Sequence, residues 1–266
     1  MGKPLIPAQR RDHIREHLEI HKFVRIANLS EMLDVSEATI RRDLERLEKG
    51  GILERTHGGA ICSQRLNLEQ DYAQRAQRYP DEKRWIGALA ASMIESGDIV
   101  FINSGTTSTE LIRQIPPNQN ITVLTNNLIA ALEVGAVDFE LILLGGSFQP
   151  VSNSVGGRFA VENLGTVYAD KAFISVDGIS LKYGCTFPTS EEAEVVHRMM
   201  ERTRGPVIVV TDQTKWGTVS NFEVLRIDQI DRLIIDEGLD ENARAALVNQ
   251  SVDVFIAEKP GNETPQ

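Results

Sequence analysis

VSEATIRRDLERLEKGGILERTHGGA, residues 35–60, decides how the first part of the chain is read. Ile40, Leu44 and Leu47 fall four and three apart, which places them on one face of a helix. Arg41, Arg42, Glu45 and Arg46 must then point away from that face. Ser36 suits the N-cap, because its hydroxyl can accept from a free N–H of the first turn. Gly50-Gly51 is a stop signal for the helix. ILERTHGGAI (52–61) has the length and Gly-Gly tip of a β-hairpin. Upstream, Leu29 and Leu33 predict a shorter helix, and Asp34-Val35-Ser36 a turn in which Asp tolerates a left-handed backbone. FVRI (23–26) reads as a short strand, and Pro7 with Ile14 and Leu18 as a first helix. The result is a winged helix-turn-helix, with the helix-turn-helix at about residues 24–45.

Charged residues on one helix face are ordinarily a solvated face. The order of elements makes the sharper reading, that this helix enters a DNA major groove. The candidates facing DNA are Ser36, Thr39, Arg41, Arg42 and Arg46 on the helix, with Arg55 and His57 near the hairpin tip. Arginine pairs hydrogen bonds with guanine, and Ser and Thr hydroxyls suit phosphates or base edges.

The whole chain sets the frame. At 266 residues it is long enough for two ordinary domains, and its composition (41% hydrophobic, 25% charged) is that of a globular protein rather than a disordered one. The net charge of −10 argues against a general nucleic-acid coat. Its distribution is uneven: residues 1–80 hold 14 Lys and Arg against 12 Asp and Glu, and residues 81–266 hold 14 against 26. DNA binding by one end only fits that split. No run approaches the ~18 apolar residues of a membrane span, and the N-terminus lacks the apolar core of a signal peptide. Cys62 and Cys185 have no partner at metal-ligand spacing and read as reduced, structural thiols, so a cytoplasmic protein with no metal and no cofactor is expected.

Residues 63–80 read as a linker with some helix, residues 81–258 as an α/β domain and residues 259–266 as a disordered tail. The domain opens with a helix around WIGALAASMI, and the strand candidates are 99–102, 121–125, 140–144, 171–176, 206–210, 232–235 and 252–257. Helical segments between most of them predict a mainly parallel, Rossmann-like sheet. Polar or Gly-rich loops follow several strands directly: NSGTTSTE (103–110), Asn126-Asn127, GGS (145–147), DGI (177–179) and TDQTKWG (211–217). In a parallel sheet these emerge along one edge, where α/β proteins bind small molecules. The effector candidates are therefore Ser104, Gly105, Thr106, Thr107, Thr109, Asn126, Gly145, Gly146, Asp177, Gly178 and Lys215. NSGTTSTE reads as a phosphate cradle at a helix N-terminus, or as a plain Ser/Thr helix cap. Lys215 reads as a neutralising cation or as a surface lysine.

LSEMLDVSEATIRRDLERLEKGGILERTHGGA resembles the N-terminal winged helix-turn-helix of the DeoR family of bacterial transcriptional regulators, with its VS-x-x-TIRRDL recognition helix and R-x-HGGA wing. Asp34 stands where Gly is often seen and Ser30 where Ala is. Residues ~65–258 resemble the family's sensor domain through the GD-I-F-I-N-SGTT, T-N-N, LLGG, DKAFI-DG, G-C-T and D-x-T-K-x-G elements. The resemblance implies a sugar-phosphate-isomerase-like sensor fold, a phosphorylated sugar as effector, and a repressor of a carbohydrate-metabolism operon released from DNA by that sugar. After Ala193-Glu194-Val195 the family often has Lys-Arg, whereas this chain has Val196-His197.

The competing class is a sugar-phosphate isomerase with a DNA-binding appendage. Its acid/base candidates are Asp177, Glu191 and Glu192, and no second convergent acid or base emerges beside them. A non-enzymatic regulator is the expected class. One small winged helix binds DNA weakly, so a homo-oligomer reading paired operator half-sites is expected too.

Overall fold

The structure is a computed structural model that describes residues 6–21, 23–49, 53–55, 58–62, 72–117, 120–135 and 137–259. The expected wing-tip residue His57, the helix stop at Gly50-Gly51, residues 63–71 of the linker, residues 260–266 of the tail and the Cys62 side chain lie outside the described part.

The N-terminal unit runs α1 (Pro7–His21), β1 (Phe23–Arg25), α2 (Ile26–Met32), α3 (Glu37–Lys49), β2 (Leu53–Arg55) and β3 (Gly59–Cys62). The strands form an antiparallel sheet in the order β1-β3-β2. Asp34 takes the left-handed conformation (φ 50°) in the turn before α3. The Thr39 N–H donates to Ser36 Oγ at 3.3 Å, the cap the sequence predicts. Ile40, Leu44 and Leu47 pack with Ile14, Leu18, Leu29 and Leu53 in one core. In β3, Gly59 is required by close approach, because a Cβ there would lie 1.9 Å from the Val24 carbonyl oxygen.

The second unit contains α4 (Tyr72–Ala76), α5 (Pro80–Ala91), β4 (Ile99–Ile102), α6 (Thr106–Arg113), β5 (Thr122–Thr125), α7 (Leu128–Glu133) and β6 (Glu140–Leu143). It continues through β7 (Ser147–Gln149), β8 (Ser154–Gly156), α8 (Arg158–Leu164), β9 (Lys171–Ser175), β10 (Gly178–Ser180), β11 (Gly184–Phe187) and α9 (Ser190–Glu201). It closes with β12 (Val207–Val210), β13 (Phe222–Leu225), β14 (Arg232–Asp236), α10 (Glu241–Val248) and β15 (Asp253–Ala257). The seven strands expected from sequence form one parallel sheet in the order β15-β14-β12-β9-β4-β5-β6. Its central strands are buried on both faces: Phe101, Ile174 and Val209 face one core, and Val100, Ile102, Phe173 and Ile208 the other. That is why they read as unbroken apolar runs rather than alternating ones. The chain order reverses between β4 and β9, which opens a crevice at their C-terminal ends.

One feature was not read from sequence. Small antiparallel ribbons, β7–β8 and β10–β11–β13, occupy stretches expected as loops. Their strands are three or four residues long, too short to show a period. The expected linker is structured from Tyr72 onward: the Tyr72 N–H donates to the Val151 carbonyl (3.0 Å), and its hydroxyl meets Thr109 Oγ1 (2.7 Å).

Candidate functional site

The candidate DNA-reading face is the solvent side of α3. Thr39, Arg42 and Arg46 fall three and four apart, so they form one stripe, and Arg42 lies opposite the buried Ile40/Leu44/Leu47 face. Arg42 is exposed and forms no ion pair among the described residues, so its guanidinium is available to a base edge or phosphate. Arg41 is also exposed but is tied to Glu37 (3.0 Å), one turn back. Ser36 is exposed, and its hydroxyl meets that of Thr39 (3.0 Å). On the wing, Arg55 is anchored to Glu48, its N–H donating to Oε1 at 3.2 Å, which fixes strand β2 against the reading helix. Asp43, inside the TIRRDL run, does not face out. It is buried and accepts from Arg10 Nε (2.5 Å), with Arg11 3.7 Å away, and so clamps α1 to α3.

The second site lies in the crevice between β4 and β9. Ser104, Gly105, Thr106, Thr107, Asp177 and Lys215, all sequence candidates, line one pocket. The N-cap of α6 is Gly105, which has no side chain to accept a hydrogen bond. The first N–H groups of α6 are therefore uncapped, which removes the reading of this loop as a plain Ser/Thr cap. Gly105 has φ +150°, and a Cβ on it would come within 2.7 Å of Ser175 Oγ. The Ser104 N–H is already used, donating to Asn126 Oδ1 (2.7 Å).

Asp177 is buried at the end of β9 and accepts from Arg75 (3.1 Å), with Lys215 Nζ 3.5 Å away. Burial pushes its carboxyl up, and Lys215 and Arg75 more than offset this, holding it below the usual carboxylate range. Glu192 goes the other way: burial and then the Asp177 charge raise it, against hydrogen bonds from Ser152 and Thr189. Glu191, its neighbour, is exposed.

Three cations of this pocket, Arg75, Arg78 and Lys83, were not picked out from sequence. Arg75 and Arg78 fall in the stretch read as linker, and Arg75 meets Asp177 across 102 positions. The one signal is the basic run RAQRYPDEKR (75–84) ahead of an acidic domain. Arg75 Nε is buried with no hydrogen-bond partner among the described residues.

Lys83 Nζ donates to the carbonyls of Arg75 (2.5 Å) and Arg78 (2.6 Å) and lies 3.9 Å from Asp212. Burial lowers its pKa to about 8 despite Asp212. Between pH 8 and 10.5 the unfolded chain then holds the lysine proton that the folded chain has released, so stability rises with pH across that window. Urea unfolding of wild type and Lys83→Met should show it, the wild-type curve gaining up to about 1.4 kcal/mol per pH unit over the variant's. Parallel pH curves for the two proteins would remove Lys83 as the source.

The remaining candidates stand off the pocket wall. Thr109 lies behind it, its hydroxyl engaged by Tyr72, Asn127 and the Gly105 carbonyl. Asn126 is a brace that also donates to the Val155 carbonyl (2.9 Å). Gly145 and Gly146 are exposed on the β6–β7 link. Gly178 is the first residue of β10 rather than a loop residue, with the Thr218 carbonyl packed against it. Val196 is buried in the core and His197 is exposed on α9. Cys185 is a buried free thiol, raised in pKa by burial.

A winged helix with an open basic face, carried on a parallel-sheet sensor module, defines a DNA-binding transcriptional regulator. Residues 10–65 match the DeoR-like helix-turn-helix domain, and residues 78–237 match the DeoR C terminal sensor domain. The chain belongs to the DeoR family. YulB, an uncharacterized HTH-type transcriptional regulator of Bacillus subtilis, is 33% identical over 94% of this chain and 96% of its own length. GlpR, an HTH-type transcriptional regulator of Haloferax volcanii, is 31% identical over 94% and 98%. A putative aga operon transcriptional repressor of Escherichia coli O157:H7 is 32% identical over 94% and 93%. Among solved structures, ribose 5-phosphate isomerase A of Methanocaldococcus jannaschii aligns with a TM-score of 0.38 at 13% identity, over 52% of this chain and 54% of that one. That likeness is too loose to carry anything about chemistry. Among the described residues no helix is long and apolar enough to cross a membrane.

Proposed function

We propose that the protein is a repressor of a carbohydrate-metabolism operon, released from its operator by a phosphorylated sugar bound in the β4/β9 crevice. The observation that carries the reading is the uncapped start of α6 opening onto Arg75, Arg78, Lys83 and Lys215. Free N–H groups at a helix start and four cations together suit a phosphate dianion. Buried Asp177 on the same pocket wall suits the hydroxyls of a sugar, which donate to carboxylate oxygens. Relatives described as repressors, such as that of the aga operon, support the sign of the regulation.

Arg75 supplies a route for the signal. It sits on α4, which follows the winged helix in the chain, and it is held by Asp177. A phosphate competes with Asp177 for Arg75 and Lys215, and so changes how α4 is held. A coupling of about 1–3 kcal/mol between the two sites would change operator affinity about 5–150-fold. A catalytic role for Asp177 is disfavoured, because a carboxylate held below its usual range by two cations is a weak base.

A thermal-shift series with sugar phosphates and the matching free sugars tests the reading. A ligand at about 100 times its dissociation constant adds about 2.7 kcal/mol. One phosphorylated sugar should raise the melting temperature while its free form does not; a flat response across the series would sink the phosphate cradle. Lys215→Ala should stay on DNA when that sugar is added, and unchanged release would take Lys215 out of the site. Turnover of the sugar phosphate to its isomer would replace the regulator with the enzyme reading.

A further inference from the structure

The sensor sheet has two edges of different character. At one, β15 begins on the exposed Asp253 and is followed by Glu258 and Lys259, charges of the kind that blunt an edge. At the other, β6 also begins on an exposed acid, Glu140, but it leads into residues 141–157, seventeen positions with no Asp, Glu, Lys or Arg. In a domain this acidic, so long a neutral run is unexpected. The Glu140 and Leu144 amides donate inward, to Ile121 and Thr125 of the β5 side. By alternation the amides and carbonyls of Leu141 and Leu143 point to the open edge.

Apolar side chains flank that edge on both faces of the sheet. Leu143 shares a face with Leu141, which packs toward Ala130 of α7, and α7 also carries Leu132, 79% exposed. Ile142 shares the other face with the buried Leu144, on the side of α8, where Phe159 is 68% exposed. Gly146, at the start of the following hairpin, packs against Ala160 of α8, and the hairpin presents Phe148 at 57% exposure. Leu132, Phe148 and Phe159 are each more than half exposed, and Ile142 and Leu143 are exposed as well.

The geometry points to the β6 edge as the contact between two copies of this chain, the strands pairing antiparallel about a two-fold axis so that two sheets become one. A second copy fits better than another partner for three reasons. An edge strand paired with itself is self-complementary, as a two-fold contact must be. The neutral run lets two chains of net charge −10 approach without repulsion there. An apolar core is typical of homodimer interfaces. The inference rests on the edge alone, so it survives or fails independently of the effector.

Sedimentation velocity of the full chain over a range of micromolar concentrations tests it. Wild type should be dimeric or larger. The double variant Leu143→Lys, Phe148→Lys should lose one step of assembly, its dissociation constant rising at least about tenfold. It should keep the wild-type circular dichroism spectrum. A control pair, Leu181→Lys and Phe222→Lys, changes exposed apolar residues of the β10–β11–β13 sheet and should assemble as wild type does. Hydrogen exchange on the unmodified chain is the second readout, should the variant not fold: the Leu141 and Leu143 amides should slow as concentration rises. A monomeric wild type, unaltered assembly of the variant, or β6 exchange independent of concentration would each overturn the proposal. Either of the last two with an oligomeric wild type would place the contact on another surface.

Discussion

Arg42→Ala is expected to reduce sequence-specific DNA binding to the non-specific level. Arg42 stands opposite the buried face of α3, and its guanidinium is unpaired among the described residues. A bidentate arginine–guanine contact discriminates by about 1–3 kcal/mol. Two copies on a paired site double that to about 2–6 kcal/mol, a loss between roughly 30-fold and 10⁴-fold. Anisotropy titrations at one fixed salt concentration would measure it, using a duplex that wild type selects from a random pool and a scrambled control. Binding to the scrambled duplex should fall far less. The thermal response to the effector should be untouched, since Arg42 and the crevice belong to different modules. If affinity for the selected duplex stayed within about threefold, Arg42 would not be a reading residue. If both responses were lost, the modular picture would fail.

Asp43→Ala is expected to unfold the winged helix while the sensor domain stays intact. The substitution takes the Asp43 carboxylate away from buried Arg10 and so removes the contact between α1 and α3. Removing one partner of a buried ion pair costs about 3–5 kcal/mol. A domain of this size has little more stability than that to lose. Both tryptophans, Trp85 and Trp216, lie in the sensor domain, so their fluorescence transition should be unchanged. Hydrogen exchange of the amides in α1 and α3 should accelerate by two to three orders of magnitude or more, as that loss implies. Replacing both partners with apolar residues, Arg10→Met with Asp43→Leu, should recover most of the stability, since no buried charge remains. A single variant with native exchange rates would show that the clamp is not what holds α1 to α3.

Much of the architecture was legible without coordinates, for local reasons. The spacing of Ile40, Leu44 and Leu47, the Asp34 turn and the Ser36 cap each depend on neighbours within one helical turn. The strands of the parallel sheet announced themselves as apolar runs because both their faces are buried. The β7–β8 and β10–β11–β13 ribbons did not, being too short for a period and rich in turn residues.

The sequence by itself determined which modules this protein has, which face of α3 stays exposed, and that the strand-end loops converge along one edge of the sheet. Those properties follow from periodicity, capping and the geometry of parallel strands, which act over a few residues at a time. Only the tertiary structure decided the membership of the crevice. It brought Arg75 to Asp177 across 102 positions, buried Lys83 against two carbonyls, turned Asp43 inward, and placed Thr109 behind the pocket wall. A charged side chain in a sequence reads the same whether it meets water or an opposite charge. The difference is made by burial, which arises only when distant segments exclude water together.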